Sequence, residues 1–182
     1  MNILLIAHAM LAGICLFAGI LLLFVGLRQR PRNLANILFA IICFLIAAQN
    51  LFIFTDVFRQ TLTDFTQTLG LRFLLYDLAA IGLIWFVVAY TRYPGRRLPI
   101  LISVGWAILI IATQFYLINT SALSEPPPPT PAPFVGTVQV DIFSLNRLPM
   151  TNFANAMRFF TAVFTLYAVT WQYRRGETKS AL

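Results

Sequence analysis

Long apolar stretches separated by short polar breaks run through the whole chain. Five of them reach about 20 residues, the length that an α-helix needs to cross the hydrocarbon core of a bilayer. Each stretch is bounded by charge, proline or a polar cluster, and no recurring ten-residue alternation indicates membrane strands. The pattern predicts an all-α, polytopic membrane protein, a single-domain bundle of five transmembrane helices. The predicted helices cover residues 3–27, 34–54, 69–90, 98–118 and 153–173.

The composition agrees with a lipid-embedded chain rather than a soluble domain. Hydrophobic residues make up 59% of the 182 residues and charged residues only 10%, whereas soluble domains carry about 25% charged residues. The net charge is +7, but the basic residues crowd at helix ends and form no continuous face. We therefore expect the lipid bilayer, and not nucleic acid, to be the partner of this charge.

Three clusters of basic residues predict the orientation. They follow the first, third and fifth apolar stretch and hold nine of the 13 Lys and Arg residues, against four on the other side. Because cytoplasmic loops carry the excess of Lys and Arg, we expect the clusters in the cytoplasm. The N-terminus is then outside and the C-terminus inside a bacterial cytoplasmic (inner) membrane. The predicted cytoplasmic anchors are Arg28, Arg30, Arg32, Arg92, Arg96, Arg97, Arg174 and Arg175.

One long polar segment, residues 119–152, separates the fourth and fifth predicted helices. It contains the run PPPPTPAP at residues 126–133, which favours extended polyproline II and excludes helix. On the predicted topology this loop is extracytoplasmic. It serves either as a stiff spacer or as a docking strip for a partner, and the composition leaves both open.

Four ionisable residues within the predicted spans are the candidate functional residues, because charged groups in lipid are costly and usually have a role. His8, Arg72, Asp77 and Arg158 all fall in the outer third of the predicted membrane. In the functional interpretation they line a small outward-facing pocket. Asp77 is its charge switch, the two arginines are the counter-ions and His8 is a polar lip. In the structural alternative the arginines extend to the headgroups and Asp77 is a buried acid satisfied by one of them.

The residue types that metals, cofactors and catalysis need are scarce. His8 is the only histidine, which excludes a bis-histidine haem and a two-histidine metal site. We predict no metal and no cofactor, although a single pigment or quinone contact at His8 stays open. The sequence contains no Gly-x-Ser-x-Gly, no glycine-rich phosphate loop and no Cys-x-x-Cys. We therefore do not expect an enzyme.

Small residues and cysteines suggest how the first two helices pack. Small residues mark one close-packing surface on the first helix: Ala9, Ala12, Gly13, Ala18 and Gly19. Ala9 and Gly13 have the small-xxx-small spacing typical of such surfaces in membrane helices. Cys15 and Cys43 both lie within apolar stretches at similar predicted depth. We expect them to be free thiols near a contact between the first and second helices.

Three segments together resemble a known membrane region. They are AMLAGICLFAG with the following GLRQRPR at residues 9–32, WFVVAYT at residues 85–91 and QYRRGE at residues 172–177. They are similar to the start, the end of the third helix and the turn after the fifth helix of the seven-helix membrane sensor region of bacterial histidine kinases and related signalling proteins. Members of that family continue into a sixth and seventh helix and into cytoplasmic signalling modules, whereas this chain stops where the sixth helix would begin.

Two functions follow as expectations. The resemblance implies a non-enzymatic, sensor-like membrane module that perceives a ligand, lipid or partner and passes the signal on through helix contacts with another membrane protein. The alternative is a structural accessory subunit of a larger membrane complex, respiratory or photosynthetic, in which a partner covers the surface that the two missing helices would cover. The resemblance carries no shared ligand motif, so it assigns no residue a role.

Overall fold

The computed structural model describes residues 3–29, 33–56, 62–119 and 150–180 of the chain. All the secondary structure in these ranges is helical, which confirms the all-α prediction for the described part. The five helices are α1 (Ile3–Arg28), α2 (Leu34–Asp56), α3 (Leu62–Thr91), α4 (Arg97–Asn119) and α5 (Thr151–Ser180). The proline-rich run and the anchors Arg30 and Arg32 lie outside the described residues.

Four of the five helices are long and apolar enough to cross a membrane. The candidate spans are Leu5–Arg28, Leu34–Ile53, Leu69–Thr91 and Arg97–Phe115. The helix α5 is long enough, with 30 residues, but Asn155, Arg158 and several threonines lower its hydropathy. A membrane protein with at least four apolar helices is therefore confirmed by length and composition, whereas the fifth span stays a proposal.

The helices pack largely in chain order. The helix α1 contacts α2, α2 contacts α3, and α3, α4 and α5 contact one another. Helices that follow one another in the chain run antiparallel. The helices α3 and α5 run parallel, because Arg158 meets Tyr76 and, further along both segments, Trp171 meets Tyr93. Arg28, Arg92 and Arg175 therefore lie at one end of the bundle, which we call the arginine end. Within the described residues, α1 contacts no helix except α2, and α2 and α5 do not touch each other. The bundle is thus a hairpin of α1 and α2 joined through α2 to a three-helix unit.

A continuous apolar core holds the three-helix unit together. Trp106 of α4 is its largest fully buried side chain, and Phe164 of α5 and Ile84 of α3 are buried beside it. Met157 closes against Gly105, where a Cβ atom would come within 2.6 Å of the Met157 methyl group. The end of the Met157 side chain thus occupies the space that a side chain at Gly105 would take. The other buried members of this core are Val87, Ile102, Leu109 and Ala168.

A seam of small residues joins α1 to α2. Ala12, Gly19 and Gly26 are buried and repeat every seven residues, the spacing of a left-handed helix pair. A Cβ atom on Gly19 would lie 2.8 Å from a ring carbon of Phe44. Ala12 and Gly19 thus belong to the predicted close-packing surface. Ala9 and Gly13 do not, because both are exposed and nothing lies within 4 Å of a Cβ built on Gly13.

The tight turn between α3 and α4 is fastened to α5. Arg92 has a left-handed backbone with φ of 50°, and the Tyr93 amide donates a hydrogen bond to the Val88 carbonyl at 3.2 Å. This is the pattern of a Schellman motif, in which glycine normally occupies the left-handed position. The turn directs the Tyr93 ring onto α5, where it makes edge-to-face contacts. Its partners there are Phe164, Tyr167 and Trp171.

Large apolar side chains cover the outside of the bundle. The outward faces of α1, α4 and α5 each carry several of them in largely exposed positions. A water-facing monomer rarely shows so continuous an apolar surface, so these faces require lipid or a protein partner. Examples are Met10, Ile14 and Phe17 on α1, Leu101 and Ile111 on α4, and Phe159 and Leu166 on α5.

Candidate functional site

A large cavity lies between α2 and α5, whose backbones do not approach each other closely. It has a volume of about 840 Å³, with α3 as its floor. Exposed residues such as Phe39 of α2 and Leu166 of α5 are part of its wall, so the cavity opens at the side of the bundle. The lining comprises Phe39, Ile42, Ile46 and Gln49 of α2, Tyr76, Ala79, Ala80 and Leu83 of α3, Trp106 of α4, and Arg158, Thr161, Ala162, Thr165 and Leu166 of α5.

One end of this cavity is polar and the rest is apolar. Gln49, Tyr76 and Arg158 lie at the end far from the arginine end, whereas Phe39, Leu83 and Leu166 lie toward it. The antiparallel packing fixes this order, since Ile42 meets Gly82 across the α2–α3 contact. A cavity with a cation at one end and an apolar trough behind it matches an amphiphilic molecule in shape and polarity.

Arg158 is the one charged side chain in the described lining. Its guanidinium carbon lies 5.2 Å from the centre of the Tyr76 ring, a cation–π contact between α5 and α3. Nη1 of Arg158 donates a hydrogen bond to Oδ1 of Asn155 at 2.9 Å, one turn earlier on α5. Both contacts hold the positive charge at the polar end of the cavity.

Asp77 is a buried acid next to Tyr76 on α3. The side chain is only 5% exposed, and Arg158 is the charge close enough to act on it. Asp77 follows Tyr76 on α3, so Arg158 interacts with two adjacent residues of the same helix. The structure therefore brings together the predicted acid and one of its two predicted counter-ions. A carboxylate removed from water needs such a cation nearby to remain ionised.

Arg72 and His8 lie away from the cavity lining. Arg72 is half-buried on α3, five residues before Asp77, about 7–8 Å along the helix axis. His8 faces α2, where Nδ1 of its ring is 2.7 Å from Oδ1 of Asn50. The four residues that the sequence singles out thus occupy three places: an acid–arginine pair beside the cavity, a second arginine on α3, and a polar contact between α1 and α2.

The polar contacts near this level of the bundle are largely satisfied within the protein. Nδ2 of Asn50 donates to the Ile46 carbonyl at 2.8 Å, and Nε2 of Gln114 donates to the Gly70 carbonyl at 2.8 Å. Since an unsatisfied polar group is costly in lipid, these bonds explain how amide side chains are tolerated here. The first bond lies within α2, and the second joins α4 to α3.

Trp106 is a cavity residue that the sequence did not indicate. Its indole Nε1 donates a hydrogen bond to Oγ1 of Thr161 at 2.9 Å, and Thr161 in turn donates to the Met157 carbonyl at 2.8 Å. The Tyr76 and Trp106 rings meet edge to face with their centres 6.5 Å apart. Aromatic rings and hydroxyl groups thus line the wall between the apolar trough and Arg158.

The described residues hold no group of three or more His, Cys, Asp or Glu side chains that could bind a metal ion. Cys15 and Cys43 are free thiols, and Cys15 is close enough to act electrostatically on Cys43. This agrees with the predicted contact between α1 and α2. The lining of the cavity offers one cation, amide and hydroxyl groups, and a large apolar wall.

No family model, no curated protein and no solved structure matches this chain. The resemblance to bacterial sensor regions therefore remains a prediction from sequence. The function has to be argued from the cavity and from the surface of the bundle.

Proposed function

We propose that this chain is a non-enzymatic, sensor-like membrane module that takes up an amphiphilic ligand from the bilayer into the cavity between α2 and α5. The observation that carries the proposal is the cavity itself, with a volume of about 840 Å³ and a side opening toward the lipid. A volume in this range accommodates a single-chain amphiphile or an isoprenoid-like molecule. The sequence resemblance favours the same general role.

Arg158 supplies the link between ligand and signal in this proposal. It lines the cavity, stacks on Tyr76 and acts on the buried Asp77. An anionic or strongly dipolar headgroup at the polar end of the cavity competes with Asp77 for the same guanidinium. Weakening that interaction leaves a buried acid less compensated, so the contact between α3 and α5 shifts. A partner that packs against α5 would then sense the bound state through helix contacts.

A quenching experiment tests ligand uptake, using Trp106 as the reporter inside the cavity. The full chain with Trp85 and Trp171 replaced by Phe is reconstituted in lipid, and a spin-labelled single-chain fatty acid is titrated in. We expect saturable quenching of Trp106 fluorescence that an unlabelled fatty acid of the same length reverses. Non-saturable quenching, proportional to probe concentration in the bilayer, would contradict the proposal.

Two alanines provide a matched pair of variants for this experiment. Ala79 lines the cavity on α3, whereas Ala107 is exposed on α4 and is not part of the lining. Ala79→Phe is expected to abolish the saturable quenching by filling the trough, and Ala107→Phe is expected to leave it unchanged. Equal behaviour of the two variants would place the probe elsewhere on the bundle.

A second candidate function, a structural accessory subunit of a larger membrane complex, is favoured by the position of α1. Within the described residues this helix packs against α2 alone, and Met10, Ile14 and Phe17 remain largely exposed. An extra helix from a partner could cover this face as well as lipid does. Stable, stoichiometric co-purification with a large complex in mild detergent would support this function and contradict an independent sensor.

We further propose the five-span topology with the N-terminus outside a bacterial inner membrane. The threonines of α5 satisfy their own hydroxyl groups, as Thr165 and Thr170 donate to the carbonyls four residues earlier at 2.8 Å. The helix is therefore less polar in lipid than its composition suggests, and its exposed Phe159 and Leu166 suit an acyl environment.

Single-cysteine labelling tests this topology. In a background with both native cysteines replaced by Ala, a cysteine at Arg96 and a cysteine at Ser121 are compared in intact cells with a membrane-impermeant maleimide. Labelling at position 121 and protection at position 96 are expected. The reverse pattern would invert the orientation, and labelling at both positions would show that α4 does not cross the membrane. Labelling of a third variant, Lys179→Cys, would show that α5 does not cross it.

A further inference from the structure

A second cavity lies at the arginine end, between the end of α3 and the end of α5. It has a volume of about 560 Å³ and is separate from the cavity between α2 and α5. It lies where the apolar spans end, the depth at which lipid headgroups are found. The lining comprises Tyr90, Thr91, Arg92, Trp171, Gln172, Arg175 and Gly176.

The chemistry of this pocket suits an anion. Among the side chains that the structure describes, its lining contains two guanidinium groups, Arg92 and Arg175, and no carboxylate. The guanidinium carbon of Arg175 lies 5.2 Å from the centre of the Trp171 ring, which orients it along α5. Arginine pairs of this kind bind phosphate oxygens with two parallel hydrogen bonds each.

The neighbours of the two arginines suit the rest of a lipid. The Gln172 amide is part of the same lining, and Tyr90 and Tyr173 are largely exposed near the same end of α3 and α5. Toward the centre of the bundle the surface continues into the exposed Leu166 and Val169 of α5. A free phosphate ion would use only the cationic part, whereas a phospholipid would use the cationic, amphipathic and apolar parts in sequence.

The backbone at Arg92 gives an independent reason to assign it a role. Its φ of 50° is a conformation that glycine adopts without strain and that other residues adopt at a cost. The hydrogen bond from the Tyr93 amide to the Val88 carbonyl holds the turn in this form. A strained residue in the lining of a cavity is a reason to ask what its side chain contributes.

We propose that this pocket binds the phosphodiester headgroup of an anionic phospholipid from the leaflet at the arginine end. Arg92 holds the phosphodiester from the turn after α3, and Arg175 holds it from α5. Bound lipid therefore bridges α3 and α5 at the arginine end, opposite to the polar end of the cavity between α2 and α5. The site does not depend on ligand uptake by that cavity.

Native mass spectrometry of the full chain tests this proposal. The protein is purified in mild detergent and titrated separately with phosphatidylglycerol, phosphatidylcholine and inorganic phosphate. We expect retention of phosphatidylglycerol at a defined low stoichiometry, weak retention of phosphatidylcholine, and no displacement of the lipid by phosphate. Each guanidinium removed is expected to weaken phosphatidylglycerol binding roughly fivefold.

The variants are chosen so that loss of binding is not loss of folding. Arg92→Gly removes the guanidinium and relieves the left-handed backbone, so this variant should fold at least as well as the parent chain. Arg175→Gln tests the second arginine on a regular helix. Arg96→Gln is the matched control, because Arg96 is exposed in the same turn, outside the described lining, and carries the same charge.

Two results overturn the proposal. The first is equal phosphatidylglycerol binding by Arg92→Gly, Arg175→Gln and Arg96→Gln, which would show that only overall charge matters. The second is displacement of the lipid by inorganic phosphate, or equal retention of phosphatidylcholine, which would show that the pocket does not recognise an anionic lipid. A selective loss in Arg92→Gly and Arg175→Gln alone supports it.

Discussion

The imidazole of His8 and the amide of Asn50 form the one described side-chain hydrogen bond between α1 and α2, at 2.7 Å from Nδ1 to Oδ1. The Asn50 Nδ2 group is already engaged with the Ile46 carbonyl, so the amide oxygen accepts and the His8 Nδ1–H donates. Asn50 is only 6% exposed. A histidine in this arrangement stabilises a helix pair and is not available as a free ligand for a pigment or quinone on this nitrogen.

A double-mutant cycle measures this contact. His8→Leu and Asn50→Leu should each destabilise the hairpin of α1 and α2, and the double variant should be less destabilised than the sum of the two. Interhelical hydrogen bonds in membranes contribute about 0.6 kcal/mol, and up to about 1.7 kcal/mol. Unfolding in bicelles by added dodecyl sulfate gives the four free energies. Strict additivity would show that the two side chains do not interact.

The glycines of α1 provide a second test. At Gly19, a Cβ atom would overlap the Phe44 ring at 2.8 Å, whereas at Gly13 nothing lies within 4 Å. Gly19→Ala is therefore expected to push α1 away from α2 and to reduce stability by about 1–3 kcal/mol. Gly13→Ala adds the same methyl group on the exposed face and serves as the control. Equal effects of the two substitutions would contradict the seam at Gly19.

The same two glycines show what the sequence could and could not predict. Apolar length and the arginine clusters predict the helices and their antiparallel order, because both signals are local to each segment. The face on which α1 packs depends on Phe44 of another helix, and small residues occur on both faces of α1. The spacing of Ala9 and Gly13 therefore indicated the wrong face.

The site was predictable only in part, for a related reason. An acid and an arginine within apolar helices indicate a pair, and Arg158 does act on Asp77. The cavity beside them exists because α2 and α5 do not touch, which is a property of the whole bundle. The pairing of His8 with Asn50, 42 residues later, likewise has no local signal.

The buried hydrogen bond between Trp106 and Thr161 gives a third prediction. Thr161→Val keeps the shape of the side chain but removes the acceptor of the indole N–H, 2.9 Å away. We expect a loss of about 1–3 kcal/mol in the free energy of unfolding, because a buried donor is left unsatisfied. Thr170→Val is the control, since the Thr170 hydroxyl is exposed and bonds only to its own helix. Thr161→Ser should restore most of the stability.

The turn at Arg92 gives a prediction about stability that is separate from lipid binding. Replacing Arg92 by Gly relieves a left-handed backbone at φ of 50°, which should raise the free energy of unfolding by about 1 kcal/mol in detergent without anionic lipid. Arg92→Ala removes the same side chain but keeps the strain, so it should not be stabilising. Thermal unfolding of both variants in the same detergent distinguishes backbone strain from the loss of charge.

Tyr93 makes the stability of the bundle sensitive to high pH. Burial raises the pKa of its phenol above the ordinary value of 10.0, and the neighbouring Tyr167, through charge and a hydrogen bond, acts in the same direction. The folded chain thus favours the neutral phenol. The resulting stabilisation is fully present below about pH 10, the unfolded value, and is lost as the pH rises through the folded pKa.

Tyr93→Phe tests this pH dependence because it keeps the ring that contacts Phe164, Tyr167 and Trp171 and removes the titrating hydroxyl. The variant should lose less stability than the parent chain when unfolding is measured at rising pH on either side of about pH 10. Tyr173→Phe is the control, since Tyr173 is largely exposed on α5. If the stability of Tyr93→Phe falls with pH as steeply as that of the parent chain, ionisation of Tyr93 does not cause the loss of stability.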